Sequence, residues 1–161
     1  MEKYVGIDCS SKAVHVVVLD GKEQLIDKFK WESKLTTADA RFLDIVDQIY
    51  KNLPILKDTK LVCVEDFIWA RNNPHATRTI TAVIYSTIYF LHHYDIKANK
   101  VPIGRWKKES VGKGNASKDE VKLYAQSKWD KDSFDEQDYA DAACIALYGL
   151  RKEKETENAS T

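Results

Sequence analysis

A chain of 161 residues, 43% apolar and 31% charged, is long enough to bury a core without disulfide or metal staples. No apolar run reaches the length of a membrane span, and Met-Glu-Lys-Tyr does not read as a signal peptide, so no membrane partner is expected. The formal net charge of zero hides an asymmetry: residues 97–131 carry ten Lys/Arg and four Asp/Glu, residues 132–161 three and eight.

Tyr4-Val5-Gly6-Ile7 predicts a first strand that ends at Asp8. Ala13 to Leu19 is β-branched and predicts a second, and Asp20-Gly21-Lys22 is a turn signal. A third strand follows, with Leu25, Asp27, Phe29 and Trp31 on one face and Ile26, Lys28 and Lys30 on the other. Phe42, Ile45, Val46, Ile49 and Leu53 recur at helical spacing, so residues 37–53 predict a helix capped by Thr36, with Asp39 at its positive end. Leu61-Val62-Cys63-Val64 predicts a central strand that ends at Glu65. The stripe Ile80, Ile84, Ile88 and Leu91 predicts a helix over 75–93, and residues 96–103 predict a fifth strand. Gly112 to Asn115 read as a loop. Ser117-Lys118-Asp119-Glu120 reads as a capping box that opens a helix. A last helix is expected over 136–154. One domain over 1–152 and a disordered tail over 153–161 complete the reading. Three meandering strands followed by alternating strand and helix require an α/β fold: an RNase H-like mixed five-stranded sheet, a meander then parallel strands, flanked by helices.

Cys9, Cys63 and Cys144 are odd in number and match neither a zinc spacing nor a disulfide framework. They read as buried, reduced thiols of a cytosolic protein.

Four acids sit where an apolar run ends or begins. Asp8 and Glu65 each close an apolar strand, and if those strands are parallel neighbours the side chains meet at one sheet edge. Alternation sends Asp66 to the opposite face. Asp138 and Asp141 lie three apart at the start of a helix, on one face, with the apolar Ala142 to Ala146 behind them. A buried carboxylate must be paired or bind a metal, and clustered oxygens suit Mg2+ or Mn2+. Such a cage can hold two cations roughly 3.5–4 Å apart, one activating water and one stabilising the leaving oxygen of a phosphodiester. This predicts a metal-dependent nuclease, and the basic stretch is a candidate phosphate-binding surface beside it. Structural readings stand beside these: Asp138 as a helix-dipole acid, Asp8 as a turn former, the lysines as a solvated surface.

Gly6-Ile7-Asp8-Cys9-Ser10-Ser11, Val64-Glu65 with Ala70-Arg71-Asn72, Gly114 to Val121, and Asp138-Tyr139-Ala140-Asp141-Ala142 together resemble the RuvC family of Holliday junction resolvases, as a phage-type or divergent member. The resemblance spans residues 4–149. It implies a homodimer that makes paired nicks across four-way junction DNA, using Mg2+ or Mn2+, two ions per site, in the cytoplasm of a prokaryotic or phage-infected cell. Asp8, Glu65, Asp138 and Asp141 fall on the family's catalytic, metal-holding acids, and Lys118 on a basic position near the scissile phosphate; Lys113 is a second candidate. Where bacterial members often have Pro-Gly after the first acid, this chain has Cys9-Ser10. Their wedging aromatic aligns with Ile68, so Phe67 or Trp69 is expected to stack on an unpaired base, a contact worth about 1–3 kcal/mol. Arg71, Arg78, Arg105, Lys107 and Lys108 are candidate phosphate contacts. The helix over 75–93 is expected to help form the dimer.

Competing readings are another RNase H-like nuclease that cuts flaps, other branched DNA or RNA–DNA hybrids, and a non-catalytic junction binder. Gly6 to Ser11 with Asp20-Gly21 also resembles the first phosphate motif of sugar kinases and actin-like ATPases. Those proteins need two lobes to enclose ATP, and this chain supplies one.

Overall fold

The computed structural model describes residues 1–66 and 73–160. Strands β1 (Lys3–Cys9), β2 (Ala13–Asp20) and β3 (Leu25–Glu32) precede helix α1 (Ala38–Asn52) and strand β4 (Leu61–Asp66). Helix α2 (Pro74–His93), strand β5 (Ala98–Pro102), and helices α3 (Ile103–Val111), α4 (Lys118–Lys128) and α5 (Gln137–Ala159) complete the order. The sheet runs β3-β2-β1-β4-β5, antiparallel through the meander and parallel from β1 to β4 to β5. This is the expected mixed five-stranded α/β sheet. β1 and β4 are covered on both faces, which is why both read as near-continuous apolar runs.

Strand alternation feeds two cores. Val5, Ile7, Val62 and Val64 pack with Ile45 and Ile49 of α1 and Val83 and Leu91 of α2 on one face. Tyr4, Val17, Leu19 and Cys63 meet α5 on the other, where Trp106, Val121 and Phe134 close the cluster. All three cysteines are free and buried, as expected. Burial pushes the thiols of Cys63 and Cys144 up to about 12.

Local chemistry sets the helix starts. Asn73 caps α2 by accepting from the Ala76 amide at 3.0 Å, with Pro74 in the first turn. Ser117 and Glu120 form both bonds of the expected capping box. The cap of α1 is Thr37, whose hydroxyl accepts from the Ala40 amide at 3.3 Å, rather than the expected Thr36. Thr36 lies one residue outside the helix, where its carbonyl accepts from Arg41 Nη1 at 2.7 Å.

Three further differences have physical causes. The β2–β3 register shifts between Val18 and Leu19, so Leu25 faces the α5 core while Phe29 and Trp31 face the other. A bulge of this kind breaks the alternation that placed Leu25 with them. Residues 104–111, unassigned from the pattern, form α3 together with Ile103, the expected end of the fifth strand, and the helix ends at Gly112 with φ +97°. And α5 continues to Ala159, beyond the expected end at Lys154 and through most of the expected tail. A pair from Lys60 to Glu157 ties that extension to the body, and one from Lys97 to Glu153 holds the turn before it.

Candidate active site

Tyr4, Gly6 and Asp8 share the α5 face of β1, and Leu61, Cys63 and Glu65 share the same face of β4. The strands are parallel and Ile7 pairs with Val64, so Asp8 and Glu65 emerge side by side at their C-terminal ends. Ligands of open α/β sheets bind at that edge. Helix α5 reaches it by lying directly on the strands. A Cβ at Gly6 would stand 1.9 Å from the Ala142 carbonyl oxygen, and one at Gly149 would stand 2.6 Å from Cys63 Sγ. Only glycine permits this approach, and the small Ala142 and Ala146 complete the seat. The first turns of α5 then carry Asp138 and Asp141 over the strand ends.

One carboxylate oxygen each from Asp8, Asp138 and Asp141 lies within 4.8 Å of the other two. Glu65 stands beside this trio rather than inside it, and its Oε2 accepts from Trp106 Nε1 at 2.8 Å. Asp141 Oδ1 accepts from Gln137 Nε2 at 3.0 Å. Asp8 is only 9% exposed. Burial first, then Glu65, Asp141 and Asp138, holds its carboxyl well above the usual range, and Lys118 opposes the shift. Burial and Asp141 push Glu65 up to about 7 against the Trp106 bond and Lys107. Burial also raises Asp141. An all-oxygen donor set of this kind fits a hard divalent cation such as Mg2+ or Mn2+.

The expected basic residues divide. Lys118, in the first turn of α4, acts electrostatically on Asp8 and Asp141. Lys107, expected as a phosphate contact, acts on Glu65 and Asp141, with its Nζ fixed by the Ala116 carbonyl at 2.9 Å. Lys113 is paired with Glu120. Lys108 is exposed on α3. Arg105 lines a different cleft of about 260 Å³ with Lys100 and Lys152. Arg78 lines a cavity of about 430 Å³ that reaches Ser11 of the β1–β2 turn. Phe67, Trp69 and Arg71 lie outside the described residues. At Cys9-Ser10 the turn is closed by Ser10, whose Oγ accepts from the Ala13 amide and donates to its carbonyl, both at 3.0 Å.

Several contributors lie beyond the expected site residues: Trp106, fully buried in the core, also holds Glu65; Gln137 holds Asp141; and His15 faces Asp138. Gln137 was findable at helical spacing from Asp141. His15 was findable from the hairpin, because the tight β1–β2 connection pairs it with Asp8.

No known family model and no curated protein matches the sequence. In structure the chain is similar to Thermus thermophilus RuvC in complex with a Holliday junction substrate, with a TM-score of 0.75 and 19% identity over 97% of this chain and 98% of that one. A second Thermus thermophilus RuvC structure gives 0.71 and 19%, over 96% and 97%. The yeast mitochondrial Holliday junction resolvase Ydc2 gives 0.65 and 12%, over 96% and 81%. The fold of this chain is therefore the RNase H-like fold of RuvC.

Proposed function

We propose that this chain is a metal-dependent, structure-selective DNA endonuclease that resolves four-way junctions by paired nicks. The observation that carries the reading is the convergence of Asp8, on the first strand, with Asp138 and Asp141, on the last helix, at one end of the sheet. A protein of the same fold has been seen with a Holliday junction substrate, which supports the substrate class.

Asp8, Asp138 and Asp141, with Glu65 beside them, would hold Mg2+ or Mn2+, and four acids match the donors of a two-ion site. When bound, such ions activate water and stabilise the leaving oxygen of the phosphodiester. The protein's own groups prepare the place. Trp106 and Gln137 fix two of the carboxylates, and the sheet fixes Asp8. Lys118 and Lys107 bring positive charge to the acids from α4 and α3, where they can receive the oxygens of the scissile phosphate. Arg78, beside the β1–β2 turn, is placed to contact a flanking phosphate.

Paired nicks need two sites related by symmetry, hence a homodimer. The outer face of α2 supports one: Tyr85 and Tyr89 are exposed, and Thr81, Ala82 and Tyr85 line an apolar groove of about 610 Å³.

The test is a substrate panel: labelled four-way junction, linear duplex, flap and RNA–DNA hybrid, each with Mg2+ or with chelator. Junction cutting in Mg2+ alone, at symmetric positions, is expected. Preferred cutting of flaps or hybrids would replace the junction with that substrate, and equal cutting in chelator would remove the metal.

A further inference from the structure

Each acid of the site has a holder. Trp106 donates to Glu65, Gln137 donates to Asp141, and Asp8 is buried in the sheet. Asp138, with 43% of its side chain exposed, is the loosest of the trio, and the group that faces it is His15. This histidine is 3% exposed near the start of β2 and meets the Tyr139 ring edge-on at 4.8 Å. Its Nε2 lies within hydrogen-bond distance of Glu136 Oε2, at 3.1 Å. Its Nδ1 stands 3.6 Å from Asp138 Oδ2 and is buried with no hydrogen-bond partner among the described residues.

Glu136 is itself turned toward this task. It occupies the N-cap of α5, yet its carboxylate makes no capping bond and points instead to His15 and to Lys30, whose Nζ lies 3.3 Å from both oxygens. Lys30, Glu136, His15 and Asp138 thus form a chain from β3 to the acidic trio. A buried ring braced from behind, with an unpartnered nitrogen aimed at a carboxylate, is built to fix that carboxylate. The separation is a few tenths of an ångström beyond a hydrogen bond, and polar contacts of this kind shorten when a site is loaded.

We infer that His15, braced by Glu136 and Lys30, is a positioning residue for Asp138 and thereby sets the affinity of the site for divalent cation. The inference rests on reading Asp8, Asp138 and Asp141 as a cation site.

Titration calorimetry with Mn2+ on the full chain tests it, with circular dichroism melts as the fold control. His15→Ala is expected to weaken Mn2+ binding about 10–100-fold, the usual effect of losing a partner behind a ligand. His15→Asn puts an amide near the place of Nδ1 and restores most of the affinity. His15→Gln puts one near Nε2 and does not. Glu136→Ala, a change at a half-exposed side chain, weakens binding in the same direction without opening a core cavity. In junction cleavage, the metal concentration for half-maximal rate rises in parallel for His15→Ala, while the rate at saturating metal largely recovers. A folded His15→Ala or Glu136→Ala protein that binds Mn2+ as the wild type does overturns the inference, as does rescue by Gln and not Asn. Wild-type protein that binds no Mn2+ overturns both this inference and the cation site. Wild-type protein that binds Mn2+ but cuts no branched DNA sinks the nuclease reading alone and leaves the inference standing.

Discussion

Asp8 and Glu65 are acids whose surroundings oppose their charge. The Glu65 carboxyl rises from 4.5 to about 7, and Asp8 rises with it, first through burial and then through the neighbouring acids. A folded-state value above the unfolded one means that the folded chain binds more protons in that window, so the stability Glu65 confers is complete below pH 4.5 and is lost as the pH climbs through about 7. We expect metal-free protein in chelator to melt at progressively lower temperature across this window. Glu65→Gln should flatten that slope and gain on the order of 2–3 kcal/mol relative to wild type above neutrality. Mg2+ should close the gap by stabilising the wild type more than the variant. Identical pH profiles for wild type and Glu65→Gln would contradict the burial of this charge. At this scale the four acids were readable because each adjoins an apolar run. His15 was not recognised, because its meaning lies in its pairing with Asp8 across the hairpin and not in its own neighbours along the chain.

Among the elements, α5 does the most to assemble the site, and the seat on Gly6 is what lets it. Gly6→Ala places a methyl 1.9 Å from the Ala142 carbonyl oxygen, where backbone meets backbone and no side chain can rotate away. We predict a loss of about 3 kcal/mol or more in urea unfolding, above the common range for overpacking, together with lost cation affinity as Asp138 and Asp141 are lifted from Asp8. A Gly6→Ala protein with wild-type unfolding midpoint would show that α5 does not rest there. Element order and type were legible from periodicity and turn chemistry for every strand and for the long helices. The nine-residue α3 was not, since only Trp106 and Ser110 mark its buried face. The turn of Leu25 to the α5 side depends on a bulge that alternation cannot foresee. The last five residues of α5 are mostly polar, and they are held by the Lys60–Glu157 ion pair rather than by an apolar stripe.

The whole molecule is neutral yet divided, with an acidic site and a basic stretch that holds Lys107 and Lys118. Junction binding should therefore depend on local phosphate contacts, and log affinity should fall linearly with log salt. Each neutralised phosphate contributes about 0.9 to the slope on duplex arms. Arg78→Ala should reduce that slope by about one. A binding constant that is flat between low and physiological salt would rule out the phosphate surface. Cutting by Asp8 and its neighbours is tested by single-turnover cleavage of a labelled four-way junction in Mg2+ by wild type and Asp8→Asn, with junction binding in chelator as the control. We predict a fall of roughly a thousand-fold or more in rate with binding retained. An Asp8→Asn protein that binds and cuts at the wild-type rate would contradict the account.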